Sequence, residues 1–171
     1  MERLSVETIV GALDAAGTRY LIVGGLAVAA HGYVRFTADI DLVLDPAPAA
    51  LRAAIEALRG LGYRPRAPVA IGEFADPEKR ARWMREKGLT VFSLFSDRHP
   101  ATEIDLFVEP PFDFESAYAR AARFELTPSL HATFVGLADL LDMKRAAGRP
   151  QDQQDLEALL TLPPPGGDAH E

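Results

Sequence analysis

Two aspartates separated by one residue, Asp39 and Asp41, sit inside the apolar run Ala38-Asp39-Ile40-Asp41-Leu42-Val43-Leu44. Side chains alternate between the faces of a strand, so both carboxylates point the same way. Held on one face of such a strand, they repel each other and resist loss of water. A divalent cation relieves both penalties, and paired hard oxygens suit Mg²⁺ or Mn²⁺. About one Asp-x-Asp arises by chance in a chain this acidic, so the pair takes its meaning from its surroundings.

A third carboxylate, Asp105, lies in a second apolar run, Thr102-Glu103-Ile104-Asp105-Leu106-Phe107-Val108, with Glu103 on the same face as an alternative. If the two strands are neighbours, three carboxylates converge. Such a set can hold two ions about 3.5–4 Å apart, the arrangement used for in-line displacement at phosphorus. One ion would carry a triphosphate and the other would acidify an acceptor hydroxyl, with Asp105 available as a base. Upstream, Gly24-Gly25 follows a β-rich run and precedes a short alanine-rich helix. Backbone N–H groups there, aided by the helix dipole, favour a nucleoside triphosphate (NTP). A lone Gly-Gly is otherwise a turn signal, and neither GxxxxGK[ST] nor GxGxxG occurs. Arg35 and Thr37 immediately precede the acidic pair. Arg35 is suited either to a phosphate or to an ion pair with a nearby carboxylate. His31 reads as a structural histidine.

Lys144 is informative because of its spacing. Leu137, Leu140 and Leu141 form an apolar helical stripe, and Lys144, seven, four and three residues further on, falls on it. It must snorkel to water or meet an anion, either a phosphate or one of the aspartates. Asp152 and Asp155 fall in the first turns of the next helix, where the dipole alone favours negative charge.

The elements that would position these groups follow from periodicity and punctuation. Helices are predicted over 4–16, 26–31, 47–61, 77–87, 114–122, 137–147 and 150–162. Strands are predicted over 19–23, 38–44, 69–71, 89–95 and 102–108, the last two as a hairpin, with minor strands at 124–126 and 133–135. Helices and strands are interspersed, so the class is α/β (α+β), with a mixed β-sheet flanked by helices. Residues 1–162 form one domain, and the Pro- and Gly-rich stretch 163–171 is expected to be a disordered tail.

Composition narrows the functional classes. The 171 residues are 48% hydrophobic, as in a globular domain with a real core. No apolar run approaches the roughly 20 residues needed to cross a bilayer, and the N-terminus lacks a signal pattern, so a cytoplasmic protein is expected. The absence of cysteine rules out disulfides, thiol catalysis and cysteine zinc sites. A net charge of −7 argues against sequence-independent nucleic-acid binding, although Arg64, Arg66, Lys79, Arg80, Arg82, Arg85 and Lys87 cluster in mid-chain.

Taken together, Gly24-Gly25 followed by Arg35-x-Thr37-x-Asp39-Ile40-Asp41-Leu42 resembles the active-site motif of the DNA polymerase β-like nucleotidyltransferases. His31-Gly32 and the C-terminal run Lys144 through Arg149-Pro150-Gln151-Asp152-Gln153-Gln154-Asp155-Leu156 are most similar to the AbiEii-type toxin nucleotidyltransferases. The resemblance implies that Asp39, Asp41 and Asp105 ligate metal, and that Gly24 and Gly25 hold the triphosphate. It also implies that Lys144 and Asp152 lie near nucleotide or acceptor. Gly25 stands where many relatives have a serine aimed at phosphate, and the chain lacks the larger helical C-terminal domain of full-length toxins.

The implied activity is Mg²⁺-dependent transfer of a nucleoside monophosphate from an NTP to a hydroxyl. The acceptor would be an RNA 3′ end, a protein or a small molecule, and an antitoxin is a possible partner. The rival readings are a non-catalytic nucleotide-binding or protein-interaction module of the same fold, and a phosphohydrolase with water as acceptor.

Overall fold

The computed structural model describes residues 2–162; the predicted tail at 163–171 lies outside them. In chain order the elements are α1 (Arg3–Ala15), β1 (Tyr20–Val23), α2 (Gly24–Ala30), β2 (Asp39–Leu44), α3 (Pro48–Gly60) and β3 (Arg64–Pro65). A short 3₁₀ helix (Ile71–Ala75) then leads to α4 (Pro77–Lys87), β4 (Val91–Phe95), β5 (Glu103–Phe107) and α5 (Phe114–Ala119). The chain ends in β6 (Ala122–Thr127), β7 (Leu130–Phe134), α6 (Leu137–Ala147) and α7 (Pro150–Thr161).

The seven strands form one mixed sheet in the order β3-β4-β5-β2-β1-β7-β6. Pairs β2/β5 and β1/β7 are parallel and the remaining neighbours antiparallel. A parallel pair needs a long crossover. The one from β2 to β5 runs through α3, the 3₁₀ helix, α4 and β4.

The core follows the sequence periods. α1 buries Val6, Ile9, Val10 and Leu13, and α3 buries Leu51, Ala54, Ile55 and Leu58, each set at one helical face. On the sheet, Ile40, Leu42, Phe92, Leu94, Ile104 and Leu106 are fully buried. Phe92 packs between the rings of Phe74 and Trp83, at 5.3 and 5.2 Å between centroids, and so fastens the 3₁₀ helix and α4 to β4. Asp76 caps α4 by accepting from the backbone N–H of Glu78 and Lys79, and Pro77 occupies the first turn.

Three predicted elements differ from those observed. The strand predicted at 69–71 is absent: its end begins the 3₁₀ helix, and the sheet edge is instead the two-residue β3. Proline has no N–H to give a ladder, and Pro65 and Pro68 cut this edge short. Gly24 and Gly25 are the first residues of α2 rather than a turn before it. The minor strands at 124–126 and 133–135 are a full hairpin, β6/β7, joined to the main sheet through β1. Among the described residues, no helix is long and apolar enough to cross a membrane.

Replacing Phe92 with Ala should cost about 3–5 kcal/mol of stability, because the two rings it spaces cannot both collapse into the void. Urea denaturation at neutral pH measures this, and a loss below 1 kcal/mol would refute its role as the fastener.

Candidate active site

The parallel pairing of β2 with β5 sets Asp39 opposite Glu103 and Asp41 opposite Asp105. Asp39, Asp41 and Asp105 therefore share one face of two adjacent central strands. β5 lies between β2 and β4, so Asp105 is not at a sheet edge. Ser93, opposite Asp105 on β4, donates its hydroxyl to Asp105 Oδ1 at 2.5 Å. Among the described residues, no side chain hydrogen-bonds to the carboxylates of Asp39 or Asp41.

Burial first, and then like charge, bears on both carboxyls. Burial, then the charges of Asp105 and Asp39, push the Asp41 carboxyl up to about 6, against opposing pulls from Lys144 and Arg149. Burial and the neighbouring Asp105 and Glu103 also raise Asp39. Glu103 belongs elsewhere: it is held below the ordinary carboxylate range by its hydrogen bonds from Arg66.

The donor set fits a hard divalent cation: carboxylate oxygens on neighbouring strands, mutually repelling, two of the three without a protein donor. Among the described residues, no group of three or more His, Asp or Glu side chains is placed to hold a metal ion by itself. Mg²⁺ commonly completes its shell with substrate phosphates and water rather than with protein alone.

Gly24 makes the approach of Asp41 possible. Its φ of +64° lies in the left-handed region, and a Cβ there would sit 2.0 Å from Asp41 Oδ2. At Gly25 a Cβ would lie 2.8 Å from Thr37 Oγ1 and 3.0 Å from Arg35 Nη2. A serine at this position would have to displace both, so the glycine goes with a loop packed onto the start of α2. Thr37 Oγ1 donates to the backbone carbonyl of Asp39, 3.2 Å away, tying the loop to β2.

Lys144 meets anions, as its position on the apolar stripe requires, and they are aspartates. Its Nζ lies 2.8 Å from Asp152 Oδ1 and 2.8 Å from Asp155 Oδ2, and the three side chains are 7%, 2% and 0% exposed. Arg149 Nε binds Asp152 Oδ2 at 2.8 Å. Arg35 takes the ion-pair role: its Nη2 donates to Asp155 Oδ2 at 3.1 Å, and its Nε is 2.8 Å from Oδ1. Burial pushes both aspartates up, but hydrogen bonds from Lys144, with Arg149 on Asp152 and Gln151 and Arg35 on Asp155, outweigh it and hold them below the usual range.

The structure thus gathers Gly24, Gly25, Arg35, Thr37, Asp39, Asp41 and Asp105 around the head of β2. Lys144 and Asp152 stand behind them as an ion cluster that acts on Asp41 through Lys144 and Arg149. Asp155, buried between Lys144 and Arg35, is the member that sequence reasoning passed over as a dipole effect. Its fixed three-residue offset from Asp152 was the available signal. His31 is structural: its Nε2 lies 2.8 Å from the Val135 carbonyl oxygen. Asp39, Asp41 and Asp105 are each partly buried on the face they share. A cavity of about 800 Å³ lies away from them, past the ends of β2 and β5, among Leu44, Leu51, Phe74, Met84 and Phe112.

Two outcomes follow. A carboxyl whose folded pKa is raised favours the fold below its unfolded pKa, and that advantage is lost as pH rises through about 6. Asp41→Asn should therefore raise stability on the order of 1–3 kcal/mol at pH 8 and little at pH 4, read from urea unfolding at both pH values. Asp152 and Asp155 have the opposite sign: their contribution is present above the unfolded pKa and lost as pH falls through the lowered folded one. Lys144→Met should cost about 3 kcal/mol near pH 7 and less toward pH 4. An equal cost at both pH values would show that packing, not charge, is what Lys144 supplies.

No protein-family model matches the chain, and no curated protein matches it. Among solved structures it is similar to the lincosamide antibiotic adenylyltransferase LnuA in its lincomycin-bound form. The TM-score is 0.61 at 14% sequence identity, over 94% of this chain and 96% of that one. The mixed seven-stranded sheet with its flanking helices thus shares its fold with that adenylyltransferase.

Proposed function

We propose that this chain is a divalent-metal-dependent nucleotidyltransferase that moves a nucleoside monophosphate from an NTP to a hydroxyl. The observation that carries the reading is the β2/β5 register, which sets Asp41 beside Asp105 and Asp39 beside Glu103 on one face of a nucleotidyltransferase fold. Asp39, Asp41 and Asp105 would hold Mg²⁺ or Mn²⁺, which supplies polarisation of the phosphate and neutralisation of charge developing on it.

The rest of the chemistry falls to the chain. The acceptor oxygen forms a bond to the α-phosphorus while the bond from that phosphorus to the bridging oxygen of the β-phosphate breaks. The electron pair leaves with pyrophosphate. Asp105 takes the hydroxyl proton on Oδ2, since Oδ1 is engaged by Ser93. The backbone at Gly24 and Gly25 borders the triphosphate, with Arg35 and Thr37 behind it. Lys144, Arg149 and Arg35 outnumber Asp152 and Asp155, so the cluster behind Asp41 carries net positive charge, and Lys144 and Arg149 act on the Asp41 carboxylate.

LnuA, an adenylyltransferase bound to an antibiotic, supports ATP as donor. The AbiEii-type relation, a toxin role and an antitoxin partner rest on the run from Lys144 to Leu156. A module that had lost catalysis would gain from losing the like charges as well, and their retention speaks for an enzyme.

Wild type and Asp39→Ala/Asp41→Ala are to be incubated with each labelled NTP, Mg²⁺ and mixed hydroxyl acceptors. Wild type should release pyrophosphate and label an acceptor, and the variant should fall at least about 100-fold. Equal inertness of the two proteins across all four NTPs would sink the enzymatic reading.

A further inference from the structure

The cavity of about 800 Å³ past the ends of β2 and β5 has walls that are held from outside it. Pro46, Pro77 and Pro110 stand along it, just after β2, at the start of α4 and just after β5. Proline fixes its own φ, so these three segments resist bending inward. Phe74 is held on its other side by Phe92, 5.3 Å away between ring centres. Phe114 is held by the Arg19 guanidinium at 5.5 Å and the Tyr118 ring at 5.7 Å. With Leu44 and Leu51 also in the wall, the lining is mostly apolar. Its volume is that of pockets that enclose small ligands.

Four ionic side chains reach the lining: Arg80, Arg85, Glu109 and Asp113. Three of them are accounted for. Asp113 caps α5 by accepting from the backbone N–H of Ser116 at 2.9 Å. Arg85 and Glu109 are exposed to water, and Arg85 has Glu86 3.8 Å away.

Arg80 differs. It is half-buried, and burial lowers its pKa against the opposing charges of Asp76 and Glu109. Its Nη1 donates to the Phe74 carbonyl at 2.6 Å, and the guanidinium carbon lies 5.6 Å from the centre of the Phe74 ring. Among the described residues Arg80 has no ion pair, and its Nε and Nη2 have no acceptor. A partly desolvated cation with spare donors beside an apolar cavity is complementary to a carboxylate, which takes two parallel N–H bonds from a guanidinium. Glu109 and Asp113 oppose a second negative charge, so a monoanion suits the lining better than a phosphate dianion.

We propose that this cavity binds a small monocarboxylate with an apolar body, its carboxylate on Arg80 and its body among Leu44, Leu51, Met84 and Phe112. Asp39, Asp41 and Asp105 are not in the lining, so the acid is held rather than transformed. The site stands or falls apart from the transferase reading.

Calorimetry on the purified full chain tests it with four probes: decanoate, 2-naphthoate, decanol and decyltrimethylammonium. At least one carboxylate should bind about tenfold or more tightly than decanol and the cation, as expected for hydrogen bonds to a charged group. Arg80→Met keeps an apolar stem and removes the guanidinium. It should weaken the carboxylate about tenfold and leave decanol within about twofold. Glu109→Gln should tighten the carboxylate, and Met84→Trp, which fills the cavity, should weaken carboxylate and alcohol alike. Glu109→Gln and Met84→Trp carry the test if Arg80→Met fails to fold. Absence of binding by both carboxylates, equal binding of the cation, or carboxylate affinity unmoved in the folded variants overturns the proposal.

Discussion

Asp39, Asp41 and Asp105 are like charges held together on two strands that pair in parallel, and most of the surrounding architecture can be read as what that arrangement requires. Raising the Asp41 carboxyl from 3.8 to about 6 corresponds to about 3 kcal/mol at most, a large share of the stability of a small domain. Only a rigid frame sustains such a cost. The frame is the central strand pair, buried on its far face by Ile40, Leu42, Ile104 and Leu106 and backed by α3 and the Phe74–Phe92–Trp83 stack. Close approach is a second requirement, met by Gly24: no residue with a Cβ fits against Asp41 Oδ2 at that point of α2.

The ion cluster of α6 and α7 is the counterpart of the carboxylates. Buried ion pairs seldom add net stability, because desolvation offsets their attraction. Their consequence here is geometric and electrostatic. Asp155 joins Lys144 of α6 to Arg35 of the loop before β2, so the C-terminal helices are tied to the segment that leads into the carboxylate strand. Three cations against two carboxylates also leave a positive edge within electrical reach of Asp41. Negative and positive charge thus stand side by side at the head of β2, as metal ions and a triphosphate would require.

Much of this was legible in the sequence, and the exceptions share a cause. The shared face of Asp39 and Asp41 follows from the two-residue strand period, and the need of Lys144 for an anion follows from its helical offset. Which anion it meets depends on the turn at Gly148-Arg149-Pro150 that folds α7 back on α6, a tertiary fact. The Gly24-Gly25 pair reads as a turn by propensity and is a helix start, because Asp41, Thr37 and Arg35 press on it from other parts of the chain. Val69 and Ile71 favour a strand, but the prolines at 65 and 68 decide the edge. The β2/β5 register, on which the site depends, is invisible locally: parallel partners are separated by an entire crossover.

The carboxylates also mark a boundary on the sheet. To one side, over β1 and β2, the face is covered by α2 and the helices behind it, and the backbone is drawn tight around Gly24 and Gly25. To the other, over β5 and β4, the same face is half open and its side chains alternate apolar and polar about Asp105. Asp105, which accepts the Ser93 hydroxyl on one oxygen and no other side-chain hydrogen bond among the described residues, stands at the junction of the covered and open halves.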